Sequence, residues 1–279
     1  MVDIMSGKPA SEAGAQSAKP GGQRLGVALI TGAASGIGRA TAETMLAKGW
    51  DVHICDADAA AVATFRAANP AAGASQADVG DPAQVTAVVA EVMAQHGRID
   101  VLINNAGISG MTAPVEAFDQ EDWRRTIDIN VNGSFYFVRE VVPAMKAAGK
   151  GAIINIASTA ALFGYPQRTA YATSKWAMLG FTKTLAMELG PVGIRVNAVC
   201  PGSVEGPRID GVIQRDAAQR GRDAAEVRRV YESQVSMRKF VRAEDIANMC
   251  AFLASDEAAM VSGQVIAVDG HTESLSNPL

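Results

Sequence analysis

The chain has 279 residues, of which 48% are hydrophobic and 19% charged, enough apolar material for a large buried core. A formal net charge of −4 argues against nucleic acid or an anionic membrane as the main partner. The 3 cysteines, Cys55, Cys200 and Cys250, lie in apolar settings without C-x-x-C spacing or clustered histidines, so buried thiols are expected, with no metal site and no disulfide framework.

In chain order, Met1 to about Arg24 is rich in Ala, Ser, Gly, Lys and Pro and has no central apolar stretch. It fails as a secretory signal, and a flexible extension over residues 1–24 is expected. No apolar run approaches the ~18–20 residues that cross a bilayer, and cytoplasm is the expected compartment.

From Val27 onward, short apolar runs alternate with longer segments of helical spacing. Strands are predicted at Val27–Thr31, Val52–Asp56, Ala74–Asp78, Val101–Asn104, Ala152–Ala157, Arg195–Val199 and Val265–Val268. Helices are predicted at Gly38–Lys48, Pro82–His96, Trp123–Met145, Ala170–Leu189 and Ala243–Leu253. This alternation predicts an α/β fold: βαβ units in a doubly wound parallel sheet, the Rossmann architecture, with helices on both faces. Runs apolar throughout suit strands covered on both sides. No repeat or composition break divides residues 25–279, so one domain is expected.

One stretch leaves the rhythm. After Val199–Gly202 some 40 residues pass before the next core helix, and Arg208–Gln219 and Asp223–Gln234 read as polar helices outside the βαβ count. An insertion of that length after a strand's C-terminal end predicts a lid, residues 203–242, over a ligand crevice. Its many arginines, Arg208 among them, suit a clamp for a substrate carboxylate, phosphate or sulfonate. Solvated helix faces with acid–arginine pairs, such as Glu226–Arg229, are the favoured reading of them.

The first strand runs into Thr31-Gly32-Ala33-Ala34-Ser35-Gly36-Ile37-Gly38, which opens a helix. Glycines there permit a tight turn and let backbone N–H groups and the helix N-terminus approach a pyrophosphate. The spacing is G-x-x-x-G-x-G, and an ordinary glycine turn is the alternative. Asp56 ends the second strand, where an acid can bind adenosine ribose hydroxyls and repel a 2′-phosphate, so NAD is the expected cofactor. A helix-capping loop Asp is the other reading, although Asp58 suits that role better.

Together, Thr31–Gly38, Asn104-Asn105-Ala106-Gly107, Ser158, Tyr171-Ala172-Thr173-Ser174-Lys175 and Pro201-Gly202 resemble the short-chain dehydrogenase/reductase family, in its order and approximate spacing from about Gly26 to Gly270. The resemblance implies transfer of a hydride between NAD(H) and a secondary alcohol or ketone at a Ser158–Tyr171–Lys175 site. Tyrosine, with an unperturbed pKa near ~10, needs help to act as a base at neutral pH. Lys175 lies four residues on, on the same helix face, and its charge favours the tyrosinate. An isolated Tyr-x-x-x-Lys would read as surface packing; beside Ser158 and the glycine loop it does not. In the family the matching lysine also holds the nicotinamide ribose and the matching serine binds the substrate oxygen.

Further roles are implied by the same likeness. Asn130 matches the asparagine that holds a water in a proton relay; a polar residue bonding backbone at a helix distortion is compatible with that. Gly32, Ser35, Gly36, Ile37 and Gly38 are expected at the pyrophosphate, Asn105, Ala106 and Gly107 beside the ribose, and Asp78 and Val79 at the adenine. Pro201, Gly202 and Val204 are expected at the nicotinamide. NADP-preferring relatives usually carry a basic residue where Ser35 stands, and often an arginine where Asp56-Ala57 stands. Gly206 departs from the family, which often has a threonine there that binds the nicotinamide amide. Gln167 and Arg168, just before Tyr171, are expected to border the pocket, with Gln167 and Arg208 as substrate contacts beside Ser158 and Tyr171.

A homotetramer or homodimer is expected, because Ala170–Leu189 is more apolar than one face requires (Trp176, Met178, Leu179, Phe181, Leu185, Met187), Phe135–Met145 is similar, and the tail His271–Leu279 can extend an interface. A non-catalytic NAD-binding regulator on the same fold is the competing function, disfavoured by the intact Ser158, Tyr171, Lys175 and Asn130. An epimerase or dehydratase of the extended relatives is disfavoured by the short C-terminal region.

Overall fold

Seven strands pair in parallel in the order β3-β2-β1-β4-β5-β6-β7. They are β1 (Val27–Thr31), β2 (Asp51–Asp56), β3 (Gly73–Gln76), β4 (Val101–Asn104), β5 (Gly151–Ile156), β6 (Ile194–Pro201) and β7 (Val265–Val268). The computed structural model describes residues 24–275. The expected extension over residues 1–24 therefore lies outside the described residues except for Arg24, as do residues 276–279 of the tail.

Alternation along each strand divides the core into two layers. Ala28, Ile30, Ile54, Ile103, Ile154 and Val199 meet Ala42 and Met45 of α1 (Gly36–Ala47) and Ile246, Cys250 and Leu253 of α9 (Ala243–Ala254). Val27, Leu29, Leu102, Ile153 and Val196 face the other way, onto α3 (Pro82–His96), α5 (Gly133–Ala148) and α6 (Thr169–Leu189). Phe137 of α5 is fully buried there. Truncating it to alanine would cost about 3–5 kcal/mol through lost transfer energy and the cavity left behind.

Two expectations need correction. A helix over Ala59–Ala68, α2, was not predicted: only Val62 and Phe65 of this alanine-rich segment are buried, too short a stripe to show as a period. Asp58 caps it, accepting from Ala60 N and Ala61 N. The single helix expected at Trp123–Met145 is α4 (Gln120–Ile127) and α5 joined by a π turn over Asp128–Asn132. Smaller shifts move β3 back from Ala74–Asp78, leaving Asp78 two residues beyond its end, and extend β6 to Pro201.

The insertion expected as a lid contains two helices, α7 (Pro207–Arg220) and α8 (Ala224–Ser233). Its helices share a small core of Ile209, Ile213, Ala217, Val227 and Phe240. Val204 bridges Val241, with Glu205 N donating to Val241 O and Val241 N to Ser203 O, which closes the base. The described tail folds back on this base through the Val235–Thr272 bridge.

Candidate active site

The strand order reverses between β1 and β4, so the loops leaving their C-terminal ends diverge and open a crevice. Thr31 and Asn105 tie the two loops together. Thr31 Oγ1 accepts from Asn105 N and Ala106 N, both at 3.0 Å, while Asn105 Nδ2 donates to Thr31 O and to Gly32 O. Gly32 approaches so closely that a Cβ there would stand 2.6 Å from Ala106 Cα, and one on Gly38 would stand 2.4 Å from Gly32 O. Gly36 differs: its φ is +54° and the space before it is open, which leaves a cradle at the start of α1. Ser35 makes no side-chain cap bond there, and the first turn of α1, with Ile37, carries no acid. A free helix N-terminus beside open space suits a diphosphate.

Asp56 stands at the crevice rim, where its carboxylate accepts from Ala34 N and Asp58 N, both at 3.1 Å. That places a negative charge beside the glycine loop. Asp78 is also at the rim, but its carboxylate is held by Arg125 and by Gly80 N. Val79 is buried, and a Cβ on Gly133 would strike it at 2.8 Å. These features fit the adenosine, diphosphate and ribose parts of NAD.

At the other end of the crevice, Ser158 follows β5 and accepts from Ala160 N at 3.1 Å. Tyr171 and Lys175 lie one turn apart on α6. Lys175 Nζ donates to Ile156 O at 2.9 Å and stands 5.7 Å from the centre of the Tyr171 ring. Burial pushes the Tyr171 phenol up, but the Lys175 and Arg208 charges, a Ser158 hydrogen bond and the Arg168 charge outweigh it, and its pKa is lowered. Burial likewise lowers the pKa of Lys175, against the opposing pull of Tyr171.

Asn130 sits in the π turn with its side chain fully engaged. Its Oδ1 accepts from Ile108 N at 2.8 Å, and its Nδ2 donates to Ile108 O and to Ser174 Oγ, both at 2.9 Å. A Cβ on Gly107 would lie 3.2 Å from Asn130 Oδ1 and 3.4 Å from Lys175 Nζ, so these three converge. Ser174 and Thr31 are site-building residues to which the sequence reading assigned no role. Each lies inside a motif and holds a motif residue, which is the signal that could have found them.

Pro201 ends β6, and Gly202 has no room for a side chain: a Cβ would stand 2.8 Å from that of Asp269. The threonine absent at Gly206 has a backbone explanation, since Gly206 has φ +130°, which an L residue rarely adopts. Gln167 is exposed at the turn before α6, with φ +62° and its carbonyl accepting from Ala113 N. Arg168 is the buried one, 7% exposed, with its guanidinium 5.9 Å from the centre of the Tyr165 ring. Four of the eight arginines between 203 and 242 are ion-paired: Arg220 with Asp216, Arg222 with Glu226, Arg242 with Asp245, and Arg228 with Glu205, Asp210 and Glu232. The expected Glu226–Arg229 pair does not form, because Glu226 turns back to Arg222. Cys55, Cys200 and Cys250 are buried, and burial raises their thiol pKa values to about 12, 11 and 12.

A family model described as enoyl-(acyl carrier protein) reductase matches residues 32–271. A trans-4-hydroxycyclohexanecarboxylate dehydrogenase of Sinomonas cyclohexanicum is 41% identical over 254 residues, 88% of this chain and 91% of that protein. The chain belongs to the short-chain dehydrogenase/reductase family. A second short-chain dehydrogenase relative, the 2-dehydro-3-deoxy-L-rhamnonate dehydrogenase (NAD(+)) of Sphingomonas sp. (strain SKA58), is 36% identical over 87% of this chain and 93% of its own. The crystal structure of an NAD+-bound xylitol dehydrogenase superposes with a TM-score of 0.84 at 32% identity, covering 88% of this short-chain dehydrogenase/reductase and 98% of that chain.

Proposed function

We propose that Ser158, Tyr171 and Lys175 carry the reaction of this chain, an NAD-dependent oxidoreductase that moves a hydride between NAD(H) and a secondary alcohol or ketone. The observation that supports this most directly is the Tyr171 phenol, drawn below its ordinary pKa beside Lys175 at the mouth of the crevice. NAD, when bound, supplies the hydride acceptor. Tyr171 takes the hydroxyl proton in oxidation and returns it to the carbonyl oxygen in reduction. Ser158 Oγ holds that oxygen in reach of the phenol. Lys175 stabilises the tyrosinate, and its anchor on Ile156 O keeps the charge from swinging away. Asn130 fixes the Ile108 loop against α6 through Ser174, which keeps Gly107 and Lys175 in register.

The glycine loop, Asp56, Asp78, Val79, Asn105, Ala106, Gly202 and Val204 are the proposed cofactor contacts, and Gln167 and Arg208 border the substrate. NADH formation measured over a panel of secondary alcohols tests the assignment. No alcohol giving NADH with the wild-type chain, while the Ser158, Tyr171 and Lys175 variants bind NAD normally, would refute it. We further propose a homotetramer or homodimer in the cytoplasm. Phe135, Trp176 and Met187 on α5 and α6 are 47, 50 and 81% exposed, apolar surface that a second copy can cover. A monomeric mass by light scattering at micromolar concentration would refute the assembly.

A further inference from the structure

Arg168 and Arg208 stand out from the other cations around the crevice. Arg168 is 7% exposed, yet its guanidinium makes no hydrogen bond and no ion pair among the described residues, only the stacking contact with Tyr165. The side chain is mostly buried, but its guanidinium nitrogens keep contact with solvent, so its N–H donors are open to a ligand. The lid carboxylate of Asp216 is engaged by Arg220 and by the Tyr231 hydroxyl at 3.4 Å. Arg208, in the first turn of α7, likewise has no carboxylate within ion-pair distance among the described residues; Arg220, Arg222, Arg228 and Arg242 each have one, while Arg215, Arg229 and Arg238 do not. Exposed as it is, Arg208 differs from those three in that its charge acts on both Tyr171 and Lys175.

We propose that Arg168 and Arg208 form a carboxylate-binding subsite next to Ser158 and Tyr171, so that the preferred substrates are hydroxy acids and their keto acids. This rests on the oxidoreductase reading and specifies its substrate class. Arg168 is the N-cap of α6, three residues before Tyr171, and its charge acts on the Tyr171 phenol. A substrate whose carbinol oxygen meets Ser158 and Tyr171 has its acid group, a few bonds away, within the span between the two guanidiniums. The planar guanidinium fork matches a carboxylate, and the anion supplies what the buried Arg168 lacks. Placing one cation on the fixed helix α6 and the other on the lid lets the same anion draw the lid down.

The test uses the full chain loaded with NADH, titrated calorimetrically with benzoate and with the neutral isostere benzamide. Benzoate should bind about ten- to hundredfold more tightly, the contribution of a charge-assisted hydrogen bond. Arg168→Gln and Arg208→Gln should each erase most of that preference, and Arg168→Lys should retain part of it. Equal binding of the two probes by the wild-type chain, or a preference that survives both glutamine variants, would overturn the proposal. So would a shift in the pH profile of turnover without any change in the benzoate-to-benzamide ratio, since the arginines would then act on Tyr171 alone. Parallel assays with 2-pentanol and with 2-, 3- and 4-hydroxypentanoate separate the two claims. No NADH from any alcohol despite an intact benzoate preference removes the oxidoreductase reading and supports the subsite. Turnover of 2-pentanol with no gain for any hydroxypentanoate removes the subsite and keeps the oxidoreductase.

Discussion

The Nζ of Lys175 stands 5.7 Å from the centre of the Tyr171 ring and is tethered to Ile156 O at 2.9 Å. The tether comes from the buried end of β5, so the cation cannot drift from the phenol without breaking a buried hydrogen bond. Tyr171→Phe removes the proposed proton carrier and leaves this arrangement standing. We expect kcat to fall by about 10²–10⁴-fold, with NADH affinity by fluorescence titration within about twofold of wild type. Lys175→Met should lose rate and weaken NAD binding together. Unchanged NAD affinity in that variant would remove the lysine from the cofactor site.

The pH dependence has a definite sign. Oxidation requires the tyrosinate, so kcat/KM for 2-pentanol should fall as pH drops through the Tyr171 pKa, which lies below the ordinary 10.0. Ketone reduction requires the protonated phenol and should fall as pH rises through the same value. Arg208→Gln removes one of the charges favouring the tyrosinate, so both limbs should move to higher pH. Limbs that stay in place would show that Arg208 does not act on Tyr171.

Cofactor choice should follow the charge at the end of β2. Asp56 also accepts from Ala34 N and Asp58 N, so Asp56→Asn preserves an acceptor while removing the charge that repels a 2′-phosphate. Combined with Ser35→Arg, it should raise the NADP-to-NAD ratio of kcat/KM by about tenfold or more, the scale of relieving a like-charge contact. A wild-type chain that already prefers NADP would sink this assignment.

The sheet was legible because its central strands, β1 and β4 above all, are buried throughout, and the helix Pro82–His96 because Pro82 opens it and Gly97, with φ +69°, ends it. The glycine loop, Tyr171, Lys175 and Ser158 were legible as motifs at fixed spacing. Other features depend on packing that no local pattern encodes. The π turn around Asn130 carries weak helix formers, which hint at a distortion, but its form depends on the Ile108 loop and Ser174 arriving from elsewhere. Arg168 and Gln167 are neighbours of similar polarity, yet one is buried and the other exposed, because the turn into α6 puts Gln167 at positive φ. The lid arginines could not be sorted into paired and unpaired from spacing alone: Arg228 finds Glu205 and Asp210 at separations of 23 and 18 residues.

Lid motion should be visible by hydrogen exchange. We expect amides of α7 and α8 to exchange more slowly with NAD and an alcohol bound together than with NAD alone, as closure over substrate excludes water. Equal protection in the free and ternary states would make residues 203–242 a fixed insertion.

The same lid has a consequence for recombination between relatives. It carries a small core of its own, and Arg228 binds Glu205, Asp210 and Glu232 while lying over the Phe240 ring at 4.8 Å. Its two ends meet side by side at Ser203 and Val241. A segment with its own core that enters and leaves at one point can be exchanged as a cassette, provided that residues 270–273, which pair with residues 234–237, travel with it. Crossovers at Ser203 and Arg242, with that tail exchanged as well, would leave Ser158, Tyr171 and Lys175 untouched. Chimeras joined there would keep one chemistry while taking their substrate preference from the donor of the cassette.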